Sequence, residues 1–141
     1  MVTQAYASEN PEEHLGRDVY LNPDADIVIN RNQDLTGIRY YDNLVQAIIN
    51  RLKTAMGELE LHLNYGSRLH ELIGTNPNDL TLSIAKMHVR EALLQEPRIS
   101  EINSIKPSFR ANSNNQVIDI DLVVTPIKEL DTLNLVYSLF I

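Results

Sequence analysis

The sequence predicts an α+β fold: amphipathic helices packed on a C-terminal antiparallel β-sheet, in a single domain with an extended N-terminal arm. Three observations point to it. Apolar residues recur at helical spacing over residues 42–56 and 77–95. Apolar and polar residues alternate over residues 105–124 and 133–141, the strand period. Residues 1–26 follow neither period and are rich in acids. At 141 residues and 43% apolar content the chain can bury one core. It divides into an arm, 1–26, and a domain, 27–141.

Composition narrows the function classes. The net charge of −7 argues against a nucleic-acid surface, which needs a basic field. With no cysteine, disulfides and thiolate metal sites are excluded. The polar, acidic opening carries no secretory signal pattern, and no apolar run reaches membrane-spanning length. The expectation is therefore a chain without cofactor, nucleic-acid partner or membrane.

In the arm, Glu9, Glu12, Glu13, Asp18, Asp24 and Asp26 stand against Arg17 alone, so most of the net charge sits there. Pro11 and Pro23 interrupt any long helix. Val19, Tyr20 and Leu21 form an apolar island that can pair as a strand or anchor the arm. A loose surface arm and a tether that orders on a neighbouring subunit both fit.

Ile27-Val28-Ile29 reads as a short strand and Asp34-Leu35-Thr36-Gly37 as a turn. A helix starts near Asp42, a good N-cap, and places Leu44, Val45, Ile48, Ile49, Leu52, Ala55 and Met56 on one face. Gly57 closes it as C′. Residues 58–63 alternate strictly and read as a strand with Leu59, Leu61 and Leu63 inward. Asn64-Tyr65-Gly66-Ser67 is a turn in which Gly66 suits positive φ, and Ser67 can cap a short helix through Leu69, Leu72 and Ile73. The next helix is capped by Thr75 or Asn76, with Pro77 at its first position. It carries two apolar stripes: Leu80, Ile84, Met87 and Leu94, and opposite them Leu82, Ala85, Val89, Ala92 and Leu93. Two stripes predict a central helix packed on both sides, with His88 solvated between them.

That helix stops at Glu96-Pro97-Arg98, because proline biases the preceding residues away from helix. Ile99 then leads into a strand. Ile105, Pro107 and Phe109, then Ile118, Ile120, Leu122 and Val124, alternate with polar residues about a hairpin turn at Asn112-Ser113-Asn114-Asn115. The final segment puts Leu133, Leu135, Tyr137, Leu139 and Ile141 on one face. Asn134, Val136, Ser138 and Phe140 take the other. No charge follows Asp131. A strand of this kind is either internal or an edge open to pairing with another chain.

No constellation points to catalysis. Glu58 and Glu60 would share one strand face, whereas glycosidases place two carboxylates across a cleft. His62, His70 and His88 with Glu71 have no metal-ligand spacing. Ser67 and His70 lack a nucleophile-elbow context.

In order along the chain come a helix ending in Thr54, then Gly57-Glu58, then Tyr65-Gly66-Ser67 with Leu69, then Glu96-Pro97-Arg98-Ile99. This order resembles the baseplate wedge and sheath-initiator family of contractile phage tails, which has a related component in type VI secretion baseplates. The similarity covers roughly residues 27 to 125. It departs where Leu59 follows Glu58, arginine being usual, and where Leu63-Asn64 stands for Pro-Asp. The resemblance implies a structural role in bacteriophage or phage-derived tails, with no enzymatic activity. It implies a virion baseplate component, assembled in the host cytoplasm, that joins the wedge core to the first sheath ring and initiates sheath polymerisation. Implied partners are wedge subunits, sheath arms and hub or tube proteins. Glu96, Pro97 and Arg98 would dock on the wedge. Leu133, Asn134, Leu135, Val136, Tyr137, Ser138, Leu139 and Phe140 would pair with a sheath arm by strand exchange. A related domain in a bacterial anti-adaptor leaves a second reading, a soluble regulatory binding module.

Overall fold

Leu44, Ile48 and Leu52 recur every fourth residue, and each is at most 2% exposed, so they bury one side of helix α1 (Tyr40–Lys53). The computed structural model describes residues 17–19, 37–111, 114, 116–128 and 131–141. Two short strands precede the helix: β1 (Arg17–Val19) pairs antiparallel with β2 (Gly37–Arg39). The expected strand at residues 27–29 and the turn at 34–36 lie outside the described residues.

Helix α1 ends earlier than the sequence suggests. The Thr54 N–H and hydroxyl both donate to the Asn50 carbonyl, at 3.0 and 2.8 Å. Gly57, at φ +88°, belongs to a turn beyond the helix and is not its C′ residue. The strand expected at residues 58–63 does not form. Its backbone bonds are local turn bonds, such as His62 N–H to Leu59 O and Tyr65 N–H to His62 O. Leu59, Leu61 and Leu63 face solvent, Leu61 at 90%. Alternation sets which way side chains would point, but no neighbouring strand is there to pair with. The chain leaves α1 at Ala55 and returns at Ser67 through an isolated parallel bridge, and residues 56–66 form the excursion between.

A 3₁₀ turn, Leu69–Leu72, buries Leu69 and Leu72. Helix α2 (Asp79–Leu94) follows. Its N-cap is Asn78, whose Oδ1 accepts from the Thr81 N–H at 2.9 Å. Pro77 therefore lies before the cap, not inside the first turn. Ala85, Val89, Ala92 and Leu93 are fully buried, and Leu82 packs against the same core. Of the opposite stripe, Ile84 is partly buried against the core, while Leu80, Met87 and Leu94 stay outside at 67%, 48% and 71% exposed. The helix thus packs on one side only among the described residues. His88, expected in solvent, is 3% exposed.

Strands β3 (Ile99–Phe109), β4 (Val117–Pro126) and β5 (Leu133–Phe140) form an antiparallel sheet in that order. Ile118, Ile120, Leu122 and Val124 of the central strand are buried in the core that also holds Ile105, Leu139 and both helices. At about 25 cal/mol per Å² of apolar surface, each such side chain contributes roughly 1.5–3 kcal/mol. The fold is α+β, with helices on one face of a three-stranded antiparallel sheet.

Candidate functional site

The turn after α2 is built from inside. Its backbone closes through Glu96 N–H to Leu93 O (3.1 Å) and Ile99 N–H to Glu96 O (3.2 Å). The Ile127 N–H donates to Arg98 O at 2.9 Å and ties the turn to the end of β4. Pro97 is exposed, but Glu96 points inward and is 4% exposed. Arg98 Nε donates to Glu96 Oε1 at 2.6 Å. Arg51, in the last turn of α1, donates from Nη2 to Glu96 Oε2 at 3.4 Å. The Arg51 guanidinium also sits 4.5 Å from the centroid of the Tyr65 ring. One carboxylate thus ties together α1, the Tyr65 turn and the start of the sheet. Burial pushes the Glu96 carboxyl upward. The Arg98 hydrogen bond and charge, helped by the Arg98 N–H and Arg51, outweigh that and hold it below the usual carboxylate range.

The Tyr-Gly-Ser segment completes this clasp. Ser67 N–H donates to Thr54 O at 2.9 Å, Met56 N–H to Ser67 O at 3.0 Å, and the Ser67 hydroxyl to Leu52 O at 2.8 Å. Ser67 therefore supplies donors to carbonyls at the end of α1, which have no N–H partners within the helix. Gly66, at φ +116°, passes so close that a Cβ would lie 2.4 Å from Thr54 O. Glu58 Oε2 accepts from the Ala55 N–H at 2.9 Å. The short motifs separated along the chain thus meet in one place. Beside them a cleft of about 370 Å³ is lined by Arg51, Leu61, His62, Leu63, Asn64, Tyr65 and Gln95. Among the described residues no carboxylate lines it.

The terminal strand is the other sequence-predicted site. Leu133, Leu135, Tyr137 and Leu139 face the core, with Leu139 7% exposed. Val136 and Phe140 point away from it, 58% and 68% exposed, with Asn134 also exposed. Ser138 is held on the same outer face by a network with Asp119 and Arg110. Arg110 binds Asp119 through Nε (3.0 Å) and Nη2 (2.7 Å) and reaches the Ser138 hydroxyl at 3.0 Å. Hydrogen bonds from Arg110 and Ser138 lower the Asp119 carboxyl.

The sheet has two edges among the described residues, and they differ. Strand β5 pairs with β4 from Val117↔Phe140 to Val124↔Leu133 without a break in register, and no residue in it is charged. Ile141 N–H donates to Gln116 O, so the odd residues of β5 bond to β4 and the N–H groups of Asn134, Val136, Ser138 and Phe140 point outward. Strand β3 has register shifts at Ile99/Glu101 and Ile102/Ser104, and carries Glu101 and Lys106. Arg110 N–H bonds to Val117 O, which by alternation puts Pro107 at a position whose N–H would face the open side.

Sequence reading missed Arg51, its contact with the Tyr65 ring, and the Asp119–Arg110–Ser138 network. The available signal was Arg51 three residues after Ile48, on the apolar face of α1. Among the described residues no group of three or more His, Asp or Glu could hold a metal ion. No helix among them is long and apolar enough to cross a membrane.

A family model described as contractile injection system sheath initiator matches residues 17–127. That match contains the clasp and strands β3 and β4, while β5 lies beyond it. No curated protein matches the chain. A crystal structure described as a candidate tail lysozyme from Geobacter sulfurreducens has the same fold, with TM-score 0.62 and 25% identity over 82% of this chain and 96% of that one. With the model matched over well more than half its length, the chain belongs to the contractile injection system sheath initiator family.

Proposed function

We propose that this sheath initiator joins the baseplate wedge core to the first sheath ring, and that β5 starts the sheath by pairing with an extended arm of a sheath subunit. The observation that carries the reading is the β5 edge: regular, uncharged, with a row of outward N–H groups and apolar side chains at Val136 and Phe140. The backbone bonds supply affinity, and the outer-face residues select the partner strand. The Glu96-Pro97-Arg98 turn faces the wedge in this reading. Glu96 acts from inside, setting the turn, while Pro97 and the partly exposed Arg98 form the contact. The residues before 27 serve as the tether to a neighbouring subunit.

The role is structural and not catalytic. Hydrolysis of a glycan needs two carboxylates flanking a cleft. Among the described residues the cleft beside the clasp has Arg51 and His62 in its lining but no carboxylate, and Glu58 is engaged by the Ala55 N–H.

The test is Val136→Pro, which removes an outward donor without touching the ladder to β4. Particles carrying it are expected to show baseplates and tubes without sheath in electron microscopy. Normal sheaths on a folded variant would overturn the proposal.

A further inference from the structure

The cleft beside the clasp holds a charge that the clasp answers only in part. Arg51 lines it and is 8% exposed. A buried guanidinium is costly unless its charge is paired and its N–H groups are bonded. The Tyr65 ring covers one face of it. Glu96 Oε2 accepts from Arg51 Nη2 at 3.4 Å, near the limit for a hydrogen bond. The other Glu96 oxygen is bound by Arg98 Nε at 2.6 Å, so the closer pairing goes to Arg98. The Arg51 Nε–H is buried and has no acceptor among the described residues. One long bond is thus all that the Arg51 fork donates there.

The rest of the lining suits an anion. His62, Asn64 and Gln95 bring further N–H donors, and among the described residues no carboxylate faces the cavity. In a chain with 19 acidic and 12 basic residues, an acid-free lining around a buried arginine reverses the local sign of charge. Leu61 and Leu63 also line the cleft, yet are 90% and 61% exposed. Its volume of about 370 Å³ lies at the small end of the range for ligand pockets, roughly 300–1,000 Å³.

We infer that this cleft is a binding site for a carboxylate borne on a peptide segment: an aspartate or glutamate bonds Arg51, and an apolar neighbour covers Leu61 and Leu63. A planar carboxylate can take parallel bonds from a guanidinium edge, and it brings the negative charge that Glu96 gives mainly to Arg98. A doubly charged phosphate would set more charge beside the buried Glu96 than one arginine answers, and would leave both leucines uncovered. A neutral apolar segment would leave the Arg51 donors unbonded. The site depends neither on the β5 edge nor on the contact of Pro97 and Arg98 with the wedge.

The test titrates the full chain with the capped peptide acetyl-Leu-Glu-Leu-amide at millimolar concentrations and follows backbone amide shifts by NMR. Saturable shifts are expected at residues 61–65 and at Gln95. The Leu-Gln-Leu peptide has the same shape without the charge and should bind about tenfold more weakly. Arg51→Lys keeps the charge, loses the fork and should also weaken binding. Leu63→Glu sets a like charge at an exposed position and should abolish binding with an unchanged Tm. No saturable shift at the cleft, equal binding of the Gln peptide, tighter binding of inorganic phosphate at the same ionic strength, or indifference to Leu63→Glu would overturn the inference. Two further variants identify where the carboxylate comes from. Tighter peptide binding after Glu9, Glu12 and Glu13 are replaced by Gln would assign it to the chain's own acidic segment. A dimer that Glu60→Gln or added peptide dissociates would assign it to a second copy. Unchanged peptide affinity in both variants, with no dimer, would assign it to another protein. Each of these three results supports a carboxylate as the ligand.

Discussion

The two edges of the β-sheet are made from one chain and flank the same central strand, yet they are finished differently. Strand β3 has two register irregularities, a proline whose missing N–H faces outward, and the charges of Glu101 and Lys106. Each is a known way to discourage a further strand from adding. Strand β5 has none of them: its ladder is continuous, its side chains are uncharged, and its outward donors form an even row. Equal neglect of the two edges would mean aggregation from both. The asymmetry teaches that one edge is blunted and one is left available, as expected if a single partner strand is to be received in one direction.

The largest expected effect concerns the body that both edges share. Glu96→Ala leaves Arg51 without its buried carboxylate and removes the two hydrogen bonds that Arg98 makes to Glu96. It should lower unfolding free energy by about 3 kcal/mol in urea titration. If the edge contrast is independent of the clasp, this variant, while folded, still pairs through β5 and not through β3. Gly66→Ala forces a Cβ into the Thr54 carbonyl at a φ that L-residues avoid, and should cost about 2–3 kcal/mol by the same measurement.

Acid gives a milder perturbation of the same group. The folded Glu96 pKa is lowered, so its stabilising contribution is full above the unfolded value of about 4.3 and is lost as pH falls through the folded value. The stability gap between wild type and Glu96→Gln should therefore narrow on acidification below that range, measured by urea unfolding at a series of pH values. A gap constant with pH would remove the charge from the account of the clasp.

Pro107→Val would unblunt β3. It restores an outward donor at a site already in strand conformation, with a change of about 1 kcal/mol or less in stability. Its signature should be concentration-dependent self-association in sedimentation velocity, absent from wild type. The smallest stability effect is expected from Val136→Lys. This outer-face residue is mostly exposed, so stability should stay within about 0.5 kcal/mol while strand addition at β5 weakens.

The contrast between the edges was only half legible in the sequence. The β5 pattern could be read directly, because a two-residue period with one buried face leaves a single register. The blunting of β3 needed the pairing partners, since which N–H faces outward is set by the neighbouring strand. Helices α1 and α2 were legible from the spacing of Leu44, Ile48 and Leu52 and of Ala85, Val89, Ala92 and Leu93. Residues 58–63 misled because alternation alone fixes no partner. His88 misled because helical position says nothing of the 3₁₀ turn that carries Glu71, whose carboxylate approaches His88 Nε2 to 3.7 Å. The cap at Asn78 was one of several polar residues in a row, and only the bond to the Thr81 N–H chooses among them. In the site, the Glu-Pro-Arg turn was visible. The inward course of Glu96 was not, because its partner Arg51 lies 45 residues away on another helix.

The most direct test uses the absence of cysteine from the chain. Single cysteines placed at Asn134 on β5 and at Lys106 on β3 can each be oxidised against a cysteine scan of the sheath subunit's arm in assembled particles. The account predicts a disulfide from position 134 to the arm, in a ladder of alternate positions, and none from position 106. Crosslinks from position 106, or none from 134 in particles that carry sheath, would contradict it.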